Sequence, residues 1–213
     1  MSSQVRGGTR WKRFALVMVP SVVATAAVGV GLAQGALAAS FSVSGQSFKV
    51  SADSLDGHDF RQYGSVATGK SLDGKNAAHA VAVSGFSRAK IQNLCQSVVT
   101  PNLPFGLGDI TLQLRAGTDS KRPVVAKDLY IDVADLKADA DFRHIDIGVA
   151  AKDSGIQPGT ESKVNGNGFS QRADRAVLTN VKQTAWATTA GTFKLSNLTL
   201  KLKHGTGAGN ECY

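Results

Sequence analysis

Between residues 107 and 202 apolar side chains recur in one pattern. Leu107-x-x-Ile110-x-Leu112-x-Leu114 has spacings of three, two and two. Ala126-x-x-Leu129-x-Ile131-x-Val133, Phe142-x-x-Ile145-x-Ile147-x-Val149 and Leu195-x-x-Leu198-x-Leu200-x-Leu202 repeat it. A period of two is that of a half-buried strand, and the leading step of three predicts a bend or bulge that takes up one extra residue. The same alternation marks Phe41-Ser-Val43-Ser and Phe48-Lys-Val50-Ser-Ala52. It resumes at Ala80–Val83 and leads through Phe86, Ala89 and Ile91 to Cys95, and Pro101 and Pro104 mark the next turn. Ala176–Thr192, rich in threonine and carrying Trp186, also favours strand.

Two stretches break the pattern. Asp53 to His79 contains Gly57, Gly64, Gly69 and Gly74 among Lys, Asp, Asn and His, and reads as loop or as short strands with long turns. Ser154–Gly168 reads as a glycine-rich loop. Helix signals are nearly absent after residue 40; Leu136-Lys-Ala-Asp-Ala-Asp141 suits a helical turn or a strand. The expectation is an all-β domain, a sandwich or an elongated β-roll of repeated strand units, after one N-terminal hydrophobic helix.

That helix is predicted from Phe14–Ala33, 20 apolar residues behind Arg6, Arg10, Lys12 and Arg13, in a segment without Asp or Glu up to Ala39. Twenty such residues span a hydrocarbon core of about 30 Å, and the basic head stays on the cytoplasmic side. Ala36-Leu37-Ala38 fits the A-x-A rule, with cleavage after Ala38. Residues 1–39 are thus a signal peptide or a signal-anchor helix. Either way residues 40–213 form an extracytoplasmic β-rich domain, secreted or anchored by residues 14–33 with the C-terminus outside.

Charge adds little once this head is set aside. Removing residues 1–38 leaves 175 of 213 residues and lowers the net charge from +8 to +4. A nucleic-acid partner loses its main support; an envelope component, lipid or membrane protein fits better. Cys95 and Cys212 are the only cysteines, and an even pair in an oxidising compartment reads as a disulfide.

Candidate chemistry is sparse. Gly85-Phe86-Ser87-Arg88-Ala89 follows a strand and resembles the nucleophile elbow G-x-S-x-G, which makes Ser87 the one catalytic candidate. An elbow must enter a helix, whereas Ile91–Val99 looks like further strand, and His144 and His204 lie in or beside predicted strands. Asp132, Asp135, Asp139, Asp141 and Asp146 are crowded, but Lys127, Lys137 and Arg143 alternate with them and no D-x-D-x-D-G loop is present. A solvated charged face is the expectation, with no metal and no cofactor. Tyr63, Tyr130 and Trp186 suit a core or the wall of a ligand cavity equally.

The head Met1–Phe14, Ala39–Val50, Asn93-Leu-Cys-Gln-Ser-Val98, Gln183–Leu195 and the terminal Glu211-Cys-Tyr213 resemble an uncharacterised family of exported envelope proteins of high-GC Gram-positive bacteria. Members often carry a "cholesterol esterase" label, and the resemblance implies no catalytic residues. Three readings follow: a non-enzymatic envelope structural or interaction module, a lipid- or sterol-binding protein, and a serine esterase acting on sterol esters. A continuous apolar groove favours the second, and Ser87 within hydrogen-bond reach of a histidine favours the third.

Overall fold

The computed structural model describes residues 44–213. The hydrophobic segment Phe14–Ala33, the cleavage point after Ala38 and the short alternation at Phe41–Val43 lie outside the described residues. The expected all-β architecture is observed. The strands are β1 (Phe48–Lys70), β2 (Asn76–Gln92), β3 (Leu94–Leu103), β4 (Gly108–Ala116), β5 (Val124–Arg143), β6 (Asp146–Ala150), β7 (Phe169–Thr189), β8 (Thr192–Lys194) and β9 (Thr199–His204). Between β6 and β7 stand a single helical turn, Ala151–Ser154, and a 3-10 turn, Glu161–Lys163. Among the described residues no helix is long and apolar enough to cross a membrane.

These nine strands belong to one sheet, in the order β6-β7-β5-β2-β1-β3-β4-β9, with β8 beside β5. β7 also pairs with β1, so β1, β2, β5 and β7 make a closed ring of antiparallel neighbours. Of the two expected arrangements, a roll describes this better than two facing sheets. The ring, its core and its disulfide are all built within residues 48–213.

The steps of three have a common cause. Asp128, His144 and Asn197 adopt φ of +49°, +51° and +53°, each just before the apolar residue that resumes the alternation. Gly108, at φ +61°, serves the fourth pattern. Asp59, Asn93, Asn102 and Asn180 do the same before Phe60, Leu94, Leu103 and Val181. Short side chains that can hydrogen-bond the local backbone tolerate this left-handed conformation best. At each the strand bends and the next side chain returns to its original face. The pairing register is unchanged across Asp59, Asp128 and His144, so these are bends, whereas at Asn180 β7 carries one residue more than β5.

The inward side chains form one large core, with Leu55, Phe60, Phe86, Leu129, Ile131 and Val181 among its members. A smaller cluster of Tyr63, Val81, Val83 and Ala187 lies on the other side of the same strands. Ala151, Ile156 and Val164 of the β6–β7 connection cover it, and the Gln157 backbone N–H donates to Tyr63 Oη at 2.8 Å. Burial pushes the Tyr63 hydroxyl pKa up to about 12.

One expectation is corrected. Asp53–His79 is not loop: β1 runs unbroken to Lys70, and only Ser71–Lys75 turns, with Gly74 at φ +82°. The glycine at 57 does not break the strand; a Cβ there would stand 2.2 Å from Phe86 Cδ1, so the missing side chain makes room for an aromatic ring. Leu136–Asp141 is strand, within β5.

Candidate functional site

The layer β3–β4–β9 carries an inverted distribution of side chains. Register sets Val98, Leu112 and Leu202 in one row across the layer, and Gln96, Leu114 and Leu200 in the next. Alternation then puts Ser97, Thr111 and Gln113 on the opposite face. Here the polar face is the buried one, while Leu198, Leu200 and Leu202 remain 51%, 57% and 71% exposed.

The C-terminal tail causes this inversion. After β9 the chain reverses at Gly205, whose φ of +85° favours glycine, and returns over the polar face. Thr111 Oγ1 donates to the Gly205 carbonyl at 2.6 Å, and Gln113 Nε2 donates to the carbonyls of Asn210 and Glu211 at 3.2 and 3.3 Å. The Cys212 N–H donates to Ser97 Oγ at 3.1 Å. Cys95 and Cys212 are joined by a disulfide, with Cα atoms 5.7 Å apart. The polar side chains are thus paired with tail backbone, as buried polar groups must be, and the leucines of residues 198–202 stay outside.

Lys49 closes the far end of the tail, with Nζ 2.8 Å from Glu211 Oε2 and 3.2 Å from the Tyr213 carbonyl oxygen. The hydrogen bond from Lys49 holds the Glu211 carboxyl below its ordinary range, against the opposing effect of burial. A depressed carboxyl pKa stabilises the fold above the unfolded-state value and loses that effect as pH falls through the folded-state value. The stability difference between wild type and Glu211→Gln is therefore expected to persist at neutral pH and to shrink below about pH 4. Thermal melts across that range check it; a constant difference would mean the carboxylate charge does not hold the tail.

The β3–β4 turn extends the apolar surface. Phe105 stands at its tip, 97% exposed and at φ +64°, with Leu107 exposed beside it. A bulky residue in the left-handed region, with its ring in solvent, is an uncommon arrangement that signals a role at the surface.

The structure places Ser87 within β2, with no turn into a helix. Its hydroxyl hydrogen-bonds the Asp59 carboxylate, and the His58 carbonyl oxygen lies 3.4 Å away. Among the described residues no imidazole hydrogen-bonds Ser87. His144 pairs instead with Asp174, Nδ1 to Oδ2 2.8 Å, both side chains largely in solvent. These two, with Asp59, Arg61, Asp146 and Arg172, line an open polar groove of about 420 Å³. Arg172 is paired with Asp146 at 3.0 Å. Along β5 the charged residues Asp135, Lys137, Asp139, Asp141 and Arg143 alternate with Leu136, Ala138, Ala140 and Phe142, which line a partly open apolar cavity. Among the described residues no three His, Cys, Asp or Glu side chains converge as a metal ion would need.

The profile of a family of unknown function (DUF6230) matches residues 44–213. The chain belongs to this family. Comparison with curated proteins and with solved structures gave no match. The matched span takes in the ring of strands, the disulfide, the tail and the leucine-bearing edge. Among the sequence patterns, Leu198-x-Leu200-x-Leu202 announced a strand, but nothing local to it says that the opposite face carries the cover. The signal lay in β4, where Thr111 and Gln113 alternate with three larger apolar residues and a polar tail of suitable length follows β9.

Proposed function

We propose that the protein is a non-catalytic module of the cell envelope that docks on the membrane surface through its apolar sheet face. The observation that carries this reading is β9 and its approach, where Leu198, Leu200 and Leu202 stand in solvent beside half-buried Leu112 and Leu114 of β4, while the polar side chains of the same layer are buried. Contiguous exposed apolar surface of this kind marks interaction sites. Phe105 at the neighbouring turn supplies an aromatic side chain suited to the headgroup boundary. The domain carries 20 Lys and Arg against 16 Asp and Glu, a surplus that favours anionic lipid. The apolar run ends at Ala33, and residues 34–43 can span at most about 35 Å, so an anchored chain keeps its domain near the bilayer. The disulfide suits an extracytoplasmic location. The sterol-ester hydrolase reading gains nothing from Ser87, whose hydroxyl is engaged by a carboxylate and not by an imidazole.

Flotation with phosphatidylglycerol-containing vesicles tests the proposal on the chain from Ala39 to Tyr213. Wild type is expected to float, and the double variant Leu200→Asp, Leu202→Asp to lose more than about a hundredfold in partitioning, since each leucine contributes about 1.5 kcal/mol when buried. Equal flotation of both proteins would overturn the reading. So would a wild type that stays with the soluble fraction and forms a dimer that the variant does not, which would assign the face to a second copy of the chain.

A further inference from the structure

The strands of the ring border a partly open apolar cavity of about 140 Å³, walled by Leu55, Phe60, Phe86, Ile131 and Phe142 among others, with exposed Leu136 and Ala140 at its rim. A second space of about 30 Å³ adjoins it, and the two share Leu55, Ile131, Val181 and Gln183. Two features of the sequence produce the cavity. β5 leaves its partner β2 after Val133, and of the cavity-lining positions that follow, Leu136, Ala138 and Ala140, two carry only methyl groups. The space thus opens on the side where β2 and β5 diverge.

Gln183 is the anomaly of this interior. It lies on β7 between Val50 of β1 and Leu136 of β5, and shares a face with Val181 and Ala185. It is only 7% exposed and borders both spaces; among the described residues no side-chain hydrogen bond engages its amide, whose atoms remain accessible from the cavity. The other polar residues at the larger cavity are Gln62 and Ser84. Gln62 is engaged on both sides: it donates to Ser84 Oγ at 2.9 Å and accepts from Gln171 Nε2 at 2.7 Å. An amide facing accessible cavity space, with its donors and acceptor uncommitted, can hydrogen-bond a guest there. Among the described residues no charged side chain lines either space, so an ionised group would enter at a large desolvation cost.

We infer that the interior between β1, β2, β5 and β7 is a binding site for a slender, uncharged amphiphile, a hydrocarbon chain with one hydroxyl, ester or amide group hydrogen-bonded by Gln183. An apolar cavity of about 150 Å³ accommodates benzene, so the larger space holds roughly six carbons, with the polar group at the junction of the two spaces. The site is independent of docking through the β4–β9 face, and either can fail alone.

The test is a titration of the Ala39–Tyr213 chain with 1-octanol, octanoate and octane at pH 7, followed by methyl NMR. With octanol, the methyl signals of Leu55, Ile131 and Val181 are expected to shift and saturate while those of Leu200 and Leu202 stay fixed. Octanoate is expected to bind at least about tenfold more weakly. Gln183→Leu, close in volume and matched to its apolar neighbours, is expected to lower octanol affinity about fivefold, the size of one neutral hydrogen bond, and to leave octane affinity unchanged. Unmoved interior methyls, shifts confined to Leu200 and Leu202, octanoate binding as tightly as octanol, or an unaltered octanol affinity in Gln183→Leu would each overturn the inference.

Discussion

Cys212→Ser is expected to lower the stability of the domain by about 5 kcal/mol, because Cys95 and Cys212 are 117 residues apart and their bond closes most of the domain into one loop. The mechanism acts first on the unfolded chain, whose conformational freedom the bond restricts. In the native state the loss is local. Gly205–Tyr213 would then be held over the polar face by non-covalent contacts alone: hydrogen bonds to Ser97, Thr111 and Gln113, Lys49 on Glu211 and the Tyr213 carbonyl, and the Tyr213 side chain against Thr184 and Lys182. Among the described residues β9 pairs only with β4, over six residues, and the tail is its main further support. Denaturant unfolding with and without reductant measures the first effect, and proteolysis near residue 205 the second. Alkylation of the folded, unreduced chain should label neither cysteine. An unchanged unfolding midpoint in Cys212→Ser would show that the tail's hydrogen bonds suffice and that the bond closes a loop already closed.

The strands were legible in the sequence wherever apolar and polar residues alternate, and the disulfide followed from two cysteines behind a segment read as an export signal. The charged outer face of β5 was legible too, since acids and bases there share one parity. Asp53–His79 was not, because glycine ordinarily punctuates a chain. In β1 a glycine instead marks where a ring from β2 lies against the backbone, a long-range fact that no local window contains. A stronger local signal lies in one motif. An apolar residue, any residue, then Asn, Asp or His, then a second apolar residue describes Ala126–Leu129, Phe142–Ile145, Leu178–Val181, Ile91–Leu94 and Leu195–Leu198, and each left-handed φ falls on the polar third position. The motif also fits Ala77–Ala80 and Val133–Leu136, whose third residues keep ordinary strand φ, so it marks where a bend can form and the pairing decides where one does. It cannot say which face of β4 the tail covers, because alternation defines two faces and leaves their environments to the rest of the chain. For the same reason Gln183 looked like any polar residue in a strand, and only the closure of β7 on β1 turns it inward.

The contact between Gly57 and Phe86 supplies the second large effect. Phe86 is 2% exposed, its ring centroid 5.5 Å from that of Phe60, which lies 5.2 Å from that of Phe142. Phe86→Ala removes the middle of the core and is expected to cost about 3–5 kcal/mol. Gly57→Ala drives a methyl group into the same ring, because its Cβ would come within 2.2 Å of Cδ1, and β2 and β7 flank Gly57 on both sides. That overpacking is expected to cost about 1–3 kcal/mol, more than the roughly 0.5–1 kcal/mol gained by replacing a strand glycine with alanine. The two changes should not add. With the ring gone, the methyl group introduced at position 57 meets no obstruction and occupies part of the space left behind. The double variant is then expected to be less destabilised than the sum of the two by at least about 1 kcal/mol. Denaturant unfolding of the four proteins gives the coupling directly. Additive costs would mean that β1 shifts to accommodate the methyl group while Phe86 stays in place, and that the glycine at 57 serves some purpose other than the ring.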